Sequence, residues 1–151
     1  MRTVTLIRLG IFGLLAVGAV VGFIFRDRLT GSADDLRVGD CVQLPTASGT
    51  FKEIQHSPCT EPHDAEIFLL VDYPSQRSLP SDSEFETFAE QQCAGSAFQA
   101  YTGIAYQSAR AIGYDYFTPV ESGWASGDHA LVCLIRPVDG GKTSQSFKAG
   151  G

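Results

Sequence analysis

The longest apolar stretch of the chain lies near its N-terminus, where Leu9 to Phe25 contains no charged residue. Counted back to Thr3 it has 23 residues with Arg8 as the sole interruption, and a helix of that length rises roughly 34 Å, close to the thickness of a bilayer's hydrocarbon core. Arginines stand on both sides, so charge alone does not set an orientation. The pattern predicts an uncleaved, single-pass anchor over residues 1–28, with a cleaved signal peptide as the alternative.

After a short polar tether, residues 29–35, the pattern changes to the alternation of a half-buried sheet. Extended segments are predicted at residues 36–44, 51–55, 65–73, 109–118 and 129–136. Between the third and fourth segments, capping-box pairs at Ser81/Glu84 and Ser83/Glu86 begin a helix that should run to about Tyr101 and end at Gly103.

This order predicts one small α+β domain over residues 36–138. Its antiparallel sheet should have about five strands with one main helix packed on it. The glycine-rich end, residues 139–151, has no cluster of core-forming side chains and is expected to be disordered.

Charge is divided unevenly between the two parts of the chain. Of 11 basic and 17 acidic residues, 4 and 1 lie in the first 28 positions, which leaves 7 basic and 16 acidic residues, a net charge of −9, in the rest. Such a field repels nucleic acid and anionic lipid headgroups. Nucleic-acid binding is therefore not expected, whereas soluble or cationic partners remain open.

All four cysteines, Cys41, Cys59, Cys93 and Cys133, follow the apolar stretch. Their spacings of 18, 34 and 40 residues lack the closely spaced pairs of structural zinc sites, so disulfides are favoured and no metal or cofactor is expected. Disulfides persist outside the cytoplasm, which predicts a cell-membrane protein with a cytoplasmic N-terminus and an extracytoplasmic C-terminal domain. Since Cys41 and Cys59 flank a predicted hairpin, and Cys93 on the helix can meet Cys133 on the last strand, we expect the pairs Cys41–Cys59 and Cys93–Cys133.

The most reactive-looking side chains follow Cys59, where Pro62 precedes His63, Asp64 and Glu66. As an active site, His63 with either carboxylate would form an acid/base pair or a metal site, converging in a cleft. As structure, a Pro-His turn leads into a strand, and His63 bonds to backbone or to a carboxylate. A nucleophilic Cys59 would need a free thiol, which contradicts the disulfide. We favour the structural interpretation and assign no catalytic residue.

A second polar segment precedes the last predicted strand. Gly127-Asp128 predicts a turn, although His129 beside Asp128 invites the same catalytic interpretation as His63. Trp124, the single tryptophan, is expected to fill the core rather than to serve as an exposed anchor.

Taken together, these motifs resemble the septum-formation domain of actinobacteria. The matching strings are Leu36-Arg37-Val38-Gly39-Asp40-Cys41-Val42, Cys59-x-x-Pro62-His63-Asp64-Ala65-Glu66, Cys93 followed by Phe98 and Tyr101, and Trp124-x-x-Gly127-Asp128 with Val132-Cys133-Leu134. The resemblance covers roughly residues 36–137. It implies a membrane helix followed by one extracytoplasmic domain, with a role in or near cell division and envelope assembly, and it supplies no catalytic residues.

The leading hypothesis is a non-catalytic, membrane-tethered module that docks on an envelope or division membrane protein. In one alternative the chain is an accessory subunit of a larger membrane complex, with its helix in the interface, since Gly18 and Gly22 permit close helix approach. In another it is an envelope hydrolase or metal-dependent enzyme that uses His63, Asp64 and Glu66.

Overall fold

The computed structural model describes residues 30–32, 35–45, 53–74 and 77–150. The predicted membrane anchor, residues 1–28, lies outside these ranges, and so does part of the predicted tether. Within them, no helix has the length and apolar character that crossing a membrane requires.

Six strands of the described chain form one antiparallel sheet in the order β1-β3-β2-β4-β6-β5. The strands are β1 (Thr30–Ser32), β2 (Cys41–Gln43), β3 (Glu53–Ser57), β4 (Ala65–Asp72), β5 (Ile112–Phe117) and β6 (Ala130–Pro137). The α+β class is confirmed, and each predicted extended segment contributes a strand. The additional strand is β1, which pairs with β3 and lies in the predicted tether, where a three-residue Thr-Gly-Ser strand gives no alternation of apolar side chains.

The first predicted strand is shorter than expected because its beginning is a turn. The Asp40 N–H donates to the Arg37 carbonyl (3.1 Å), and the Arg37 N–H donates to the Asp40 carboxylate (2.8 Å). The strand register with β3 and β4 therefore begins at Cys41, and the turn adds two backbone hydrogen bonds that join Gly39 and Asp40 to Ile67.

The predicted single helix is divided into α1 (Asp82–Cys93) and α2 (Ser96–Thr102). The interruption lies at Gly95, whose backbone is extended (ψ −155°) and passes so close to the preceding turn that a Cβ would stand 2.5 Å from the Gln91 carbonyl oxygen. At the other end, Gly103 closes α2 with a positive φ of 76°, as the sequence predicts. A short helix, α3 (Glu121–Ala125), lies between β5 and β6.

Apolar side chains fill both faces of the sheet because successive residues of β4 and β6 point to opposite sides. The cluster on the helix side comprises Phe68, Phe85, Ala89, Cys93, Phe98, Trp124, Leu131, Cys133 and Ile135. The cluster on the other side comprises Leu36, Val42, Ile54, Ala65, Ile67, Val132 and Leu134. Both β4 and β6 therefore lie in the interior of the sheet.

Both predicted disulfides are confirmed. Cys41 bonds to Cys59 and Cys93 bonds to Cys133, with Cα–Cα distances of 5.3 and 5.6 Å, and no cysteine is free. The first bridge closes the β2–β3 hairpin, and the second fastens the end of α1 to the middle of β6.

The prediction of a disordered C-terminal tail is wrong for residues 139–150, which pack against the domain. The Thr143 and His63 backbones exchange two hydrogen bonds (2.9 and 3.0 Å), and the Ala149 N–H donates to the Tyr101 carbonyl (2.8 Å). These contacts are backbone hydrogen bonds, and the pattern of apolar residues in the sequence does not predict them. We call residues 139–150 the C-terminal strap.

Candidate functional site

His63 lies under the C-terminal strap and is fully buried, with 0% of its surface exposed. Its Nδ1 lies 2.8 Å from the Glu61 carbonyl oxygen. A carbonyl can only accept, so Nδ1 carries a proton and donates it in this contact. Nε2 has no hydrogen-bond partner among the described residues, and the Phe147 ring packs edge-on to the imidazole. The backbone bond is the one that the structural interpretation of His63 predicts.

Glu66 is also buried, with 1% of its surface exposed, although it carries a carboxylate. Three donors surround that group: the Tyr101 hydroxyl, the Ser146 hydroxyl (2.8 Å) and the Phe147 backbone N–H (2.6 Å). Burial raises the pKa of the Tyr101 hydroxyl above its ordinary value, and the hydrogen bond to Glu66 raises this pKa further. Two of the three donors belong to the strap, so Glu66 helps to hold the strap in place.

Asp64 points to a different set of partners. Its Oδ2 accepts from the Leu44 N–H and from Lys142 Nζ, both at 2.9 Å, and its side chain is 21% exposed. Within the described chain, no hydrogen bond or ion pair joins any two of the His63, Asp64 and Glu66 side chains. The acid/base pair of the enzyme hypothesis is thus not assembled.

One group of metal-ligating residue types occurs in the described part of the chain. A ligand atom from each of Cys41, Cys59 and Glu66 lies within 4.8 Å of the others. Both sulfurs are bonded to each other, so neither is a thiolate that could bind a metal. The group consists of a disulfide next to a buried carboxylate.

The second polar segment is a turn packed against the core. Trp124 is 8% exposed, as expected for a core residue. Its ring packs against that of His129, with the two ring centroids 4.4 Å apart. The backbone turns at Gly127, whose φ is 97°, and Asp128 closes the turn by donating its N–H to the Gly123 carbonyl (2.9 Å).

The two polar segments lie at opposite ends of the β4–β6 ladder. Glu66 pairs with Ile135, whereas Asp72 pairs with Ala130 at the start of β6. Six residues of strand separate the two ends, about 20 Å at the usual rise. The His63 and Asp128 segments therefore form two separate structural elements rather than one site.

A surface feature that the sequence reasoning missed lies between α1 and β5. Asp82, Glu86 and Glu90 recur at every fourth position of α1, so they share one face, and all three are exposed. Beside them stand Tyr114 and Tyr116 of β5, half-buried. We call these five residues the acidic–tyrosine face. The regular spacing of the carboxylates is visible in the sequence, but their position beside β5 is not.

The tyrosine pKa values show how the face is arranged. Burial raises the pKa of Tyr114, and the charges of Glu90 and Glu86 add to that effect. Burial likewise raises the pKa of Tyr116, with contributions from Glu86 and Asp82. Helix α1 packs against β5, and the charges of Glu90 and Glu86 act on Tyr114 while those of Glu86 and Asp82 act on Tyr116. The row of carboxylates therefore runs alongside β5.

Fold and site together define a small α+β domain, braced by two disulfides, whose most polar cluster is closed by its own C-terminal strap. A family model described as septum formation matches residues 28–133, and the chain belongs to this septum-formation family. No match was found among curated proteins or among solved structures. The family's description indicates a role in cell division, and the family is not known as an enzymatic one.

Proposed function

We propose that the chain is a non-catalytic interaction module of septum formation or envelope assembly. It is held at the outer face of the cell membrane by residues 1–28 and docks on an envelope or division membrane protein. The observation that carries this proposal is the state of the polar cluster: His63, Asp64 and Glu66 bind backbone, strap and Lys142 instead of facing a shared cleft. The residues best suited to catalysis thus hold the domain together.

The proposed location is supported by the cysteines and the apolar stretch. All four cysteines are consumed in disulfides, which favours an oxidising compartment. The stretch from Leu9 to Phe25 has the composition of a membrane helix, and an N-terminus in the cytoplasm puts the domain outside. The net charge of −9 beyond residue 28 makes a protein partner more suitable than nucleic acid.

Two measurements on intact cells test the location. A reporter enzyme fused after Gly151 is expected to be active only outside the cytoplasm. Thiol labelling of denatured, non-reduced protein is expected to find no free cysteine. Labelling of all four cysteines, with the reporter active inside, would place the domain in the cytoplasm and refute the proposal.

Complementation tests the function in cells depleted of the chain. The full chain is expected to restore normal septa or envelope, whereas a chain ending at residue 35 is not, because the docking domain is missing. Rescue by that short chain would refute the module. An anchor replaced by an unrelated membrane helix should also restore function. If this replacement fails while its topology is normal, the helix is part of an interface, as in the accessory-subunit alternative suggested by Gly18 and Gly22.

The enzyme alternative is tested by His63→Asn, whose amide can still donate to the Glu61 carbonyl and so preserves the local bond. The module predicts normal complementation and a purified protein free of stoichiometric metal by elemental analysis. Loss of function in a variant with unchanged melting temperature, together with bound metal in the parent chain, would favour the enzyme.

A further inference from the structure

β5 is the last strand of the sheet and pairs on one side only, with β6. Backbone groups of an antiparallel strand point alternately toward and away from the neighbouring strand. The Val138 N–H donates to the Ala111 carbonyl, which makes 111 and 138 a hydrogen-bonded pair. By alternation, the N–H groups of Ile112, Tyr114 and Tyr116 point away from β6, toward the open edge.

One end of this edge is closed by its own chain. The Tyr116 N–H donates to Asp115 Oδ1 (2.9 Å), while Asp115 Oδ2 accepts from Arg136 (3.2 Å). In the part of the chain that the structure describes, no group accepts from the outward N–H of Ile112 or Tyr114. Proteins commonly protect an exposed edge with an inward charge or a cap. Here the protection stops at Tyr116, and the backbone at 112–114 is left able to pair with an additional strand.

The surface beside this open backbone is strongly negative. None of Asp82, Glu86 and Glu90 forms an ion pair with another described residue. The tyrosine rings next to them provide faces to which a cation is attracted. A segment lying along β5 would therefore meet hydrogen-bond donors and acceptors on its backbone side, and carboxylates and aromatic rings on its side-chain side.

Repeat distances on the helix and on a strand are closely matched. Residues four apart on α1 are separated by about 6.0 Å along the axis, and alternate residues of an extended strand are separated by about 6.8 Å. The carboxylate row runs alongside β5, so basic residues at every second position of an added strand would each come near one carboxylate. A helical segment offers no such match together with backbone pairing.

We propose that β5 binds an extended, basic segment of a partner protein as an additional strand, with Lys or Arg at alternate positions facing the acidic–tyrosine face. This inference rests on the proposed docking function and names the kind of partner. A second copy of this chain is a poor occupant, because pairing two β5 edges would bring two acidic faces together.

The test uses the full chain in nanodiscs of uncharged lipid at low ionic strength. The probe is a nine-residue peptide with lysine at alternate positions and threonine or valine between, and binding is measured by calorimetry. The comparison peptide has the same composition with its lysines in consecutive blocks. The alternating peptide is expected to bind at least about fivefold more tightly, since each additional exposed ion pair gives roughly a two- to fivefold gain. Equal binding of the two peptides would overturn the proposal.

N-methylation of the peptide tests strand addition without altering the protein. In an added strand, every second amide faces β5 and the others face solvent. Methylating one alternate set should weaken binding at least about tenfold, as expected for loss of several backbone hydrogen bonds, and methylating the other set should change it little. Equal effects of the two sets would show that the peptide does not pair as a strand.

Variants of the protein test the charge. Glu86→Gln and Glu90→Gln should each weaken peptide binding about two- to fivefold at low salt, and the loss should disappear at high salt. Glu121→Gln removes the same charge from an exposed position on α3 and is the matched control. Equal losses in all three variants, or dimerisation of the chain that increases in Glu86→Gln, would overturn the basic-partner assignment.

Complementation separates this inference from the proposed function. A chain carrying both Glu86→Gln and Glu90→Gln is expected to lose function while keeping its melting temperature. If this variant restores septa as well as the parent chain does, and the chain ending at residue 35 does not, the assignment of β5 as the binding edge is wrong and the proposed function stands.

Discussion

Replacing Tyr101 with phenylalanine removes one of the three donors around the buried carboxylate of Glu66 and leaves the ring in place. The other two donors, from Ser146 and Phe147, remain. A hydrogen bond to a charged group contributes about 1.5–3 kcal/mol to stability. We therefore expect the free energy of unfolding of Tyr101→Phe to fall by about 2 kcal/mol at pH 8.

The difference between the two proteins should then depend on pH, with a defined sign. Burial and Glu66 raise the pKa of Tyr101 in the folded state above the ordinary value of 10.0, so folding favours the neutral hydroxyl. This contribution is complete below pH 10 and is lost as pH rises from there toward the raised pKa. One unit above the ordinary value, the parent chain loses up to about 1.4 kcal/mol. That is an upper limit, because the hydroxyl is only half-buried and water screens part of the interaction.

Urea unfolding of the full chain in detergent, followed by the fluorescence of buried Trp124, measures both effects. The advantage of the parent chain over Tyr101→Phe should fall from about 2 kcal/mol at pH 8 to about 1 kcal/mol at pH 11. Tyr106→Phe is the matched control, since that ring packs against Phe98 and Tyr114 while its hydroxyl has no hydrogen-bond partner in the described chain. Equal stability of Tyr101→Phe and the parent at pH 8, or a gap that does not shrink at pH 11, would refute the reasoning.

Three further changes test the fold. Gly95→Ala places a Cβ 2.5 Å from the Gln91 carbonyl oxygen and should cost about 1–3 kcal/mol; an unchanged urea midpoint would contradict that close approach. A chain ending at Val138 loses two donors to Glu66 and should be about 2–4 kcal/mol less stable. Hydrogen exchange at the His63 amide should also become faster. Unchanged exchange at that amide would show that the strap does not protect it. Cys93→Ser opens a 40-residue loop and should cost about 4 kcal/mol, and an unaltered melting temperature would count against that bridge as a stabilising element.

The strands were accessible from the sequence because their signal is local. The run Ile67-Phe68-Leu69-Leu70 has side chains for both faces of a sheet, and a strand buried on both sides is the simplest structure that uses them. The disulfides followed from the same local assignments, since each pairs cysteines whose elements were already predicted to be adjacent. The interruption at Gly95 was missed because the apolar spacing continues across it from Cys93 to Ala97.

The strap and the acidic–tyrosine face were not accessible from the sequence, for a different reason. Ser146 and Phe147 are 80 and 81 positions from Glu66, and nothing in their local sequence shows that a buried carboxylate needs them as donors. The regular spacing of the α1 carboxylates is typical of the solvent-exposed face of any helix. Their importance depends on Tyr114 being in the edge strand, which only the strand order reveals.

The strand order also sets a distance for experiments on the living cell. The chain enters the described sheet at β1 and the open edge is β5, five strand spacings away, or about 24 Å at the usual separation of neighbouring strands. A ligand peptide fused ahead of Thr30 therefore needs a linker of at least about seven extended residues to reach β5 on the same molecule. A peptide on a shorter linker can bind only to β5 of a neighbouring molecule. Varying the linker length would therefore distinguish a peptide that occupies β5 of its own chain from one that links two adjacent copies.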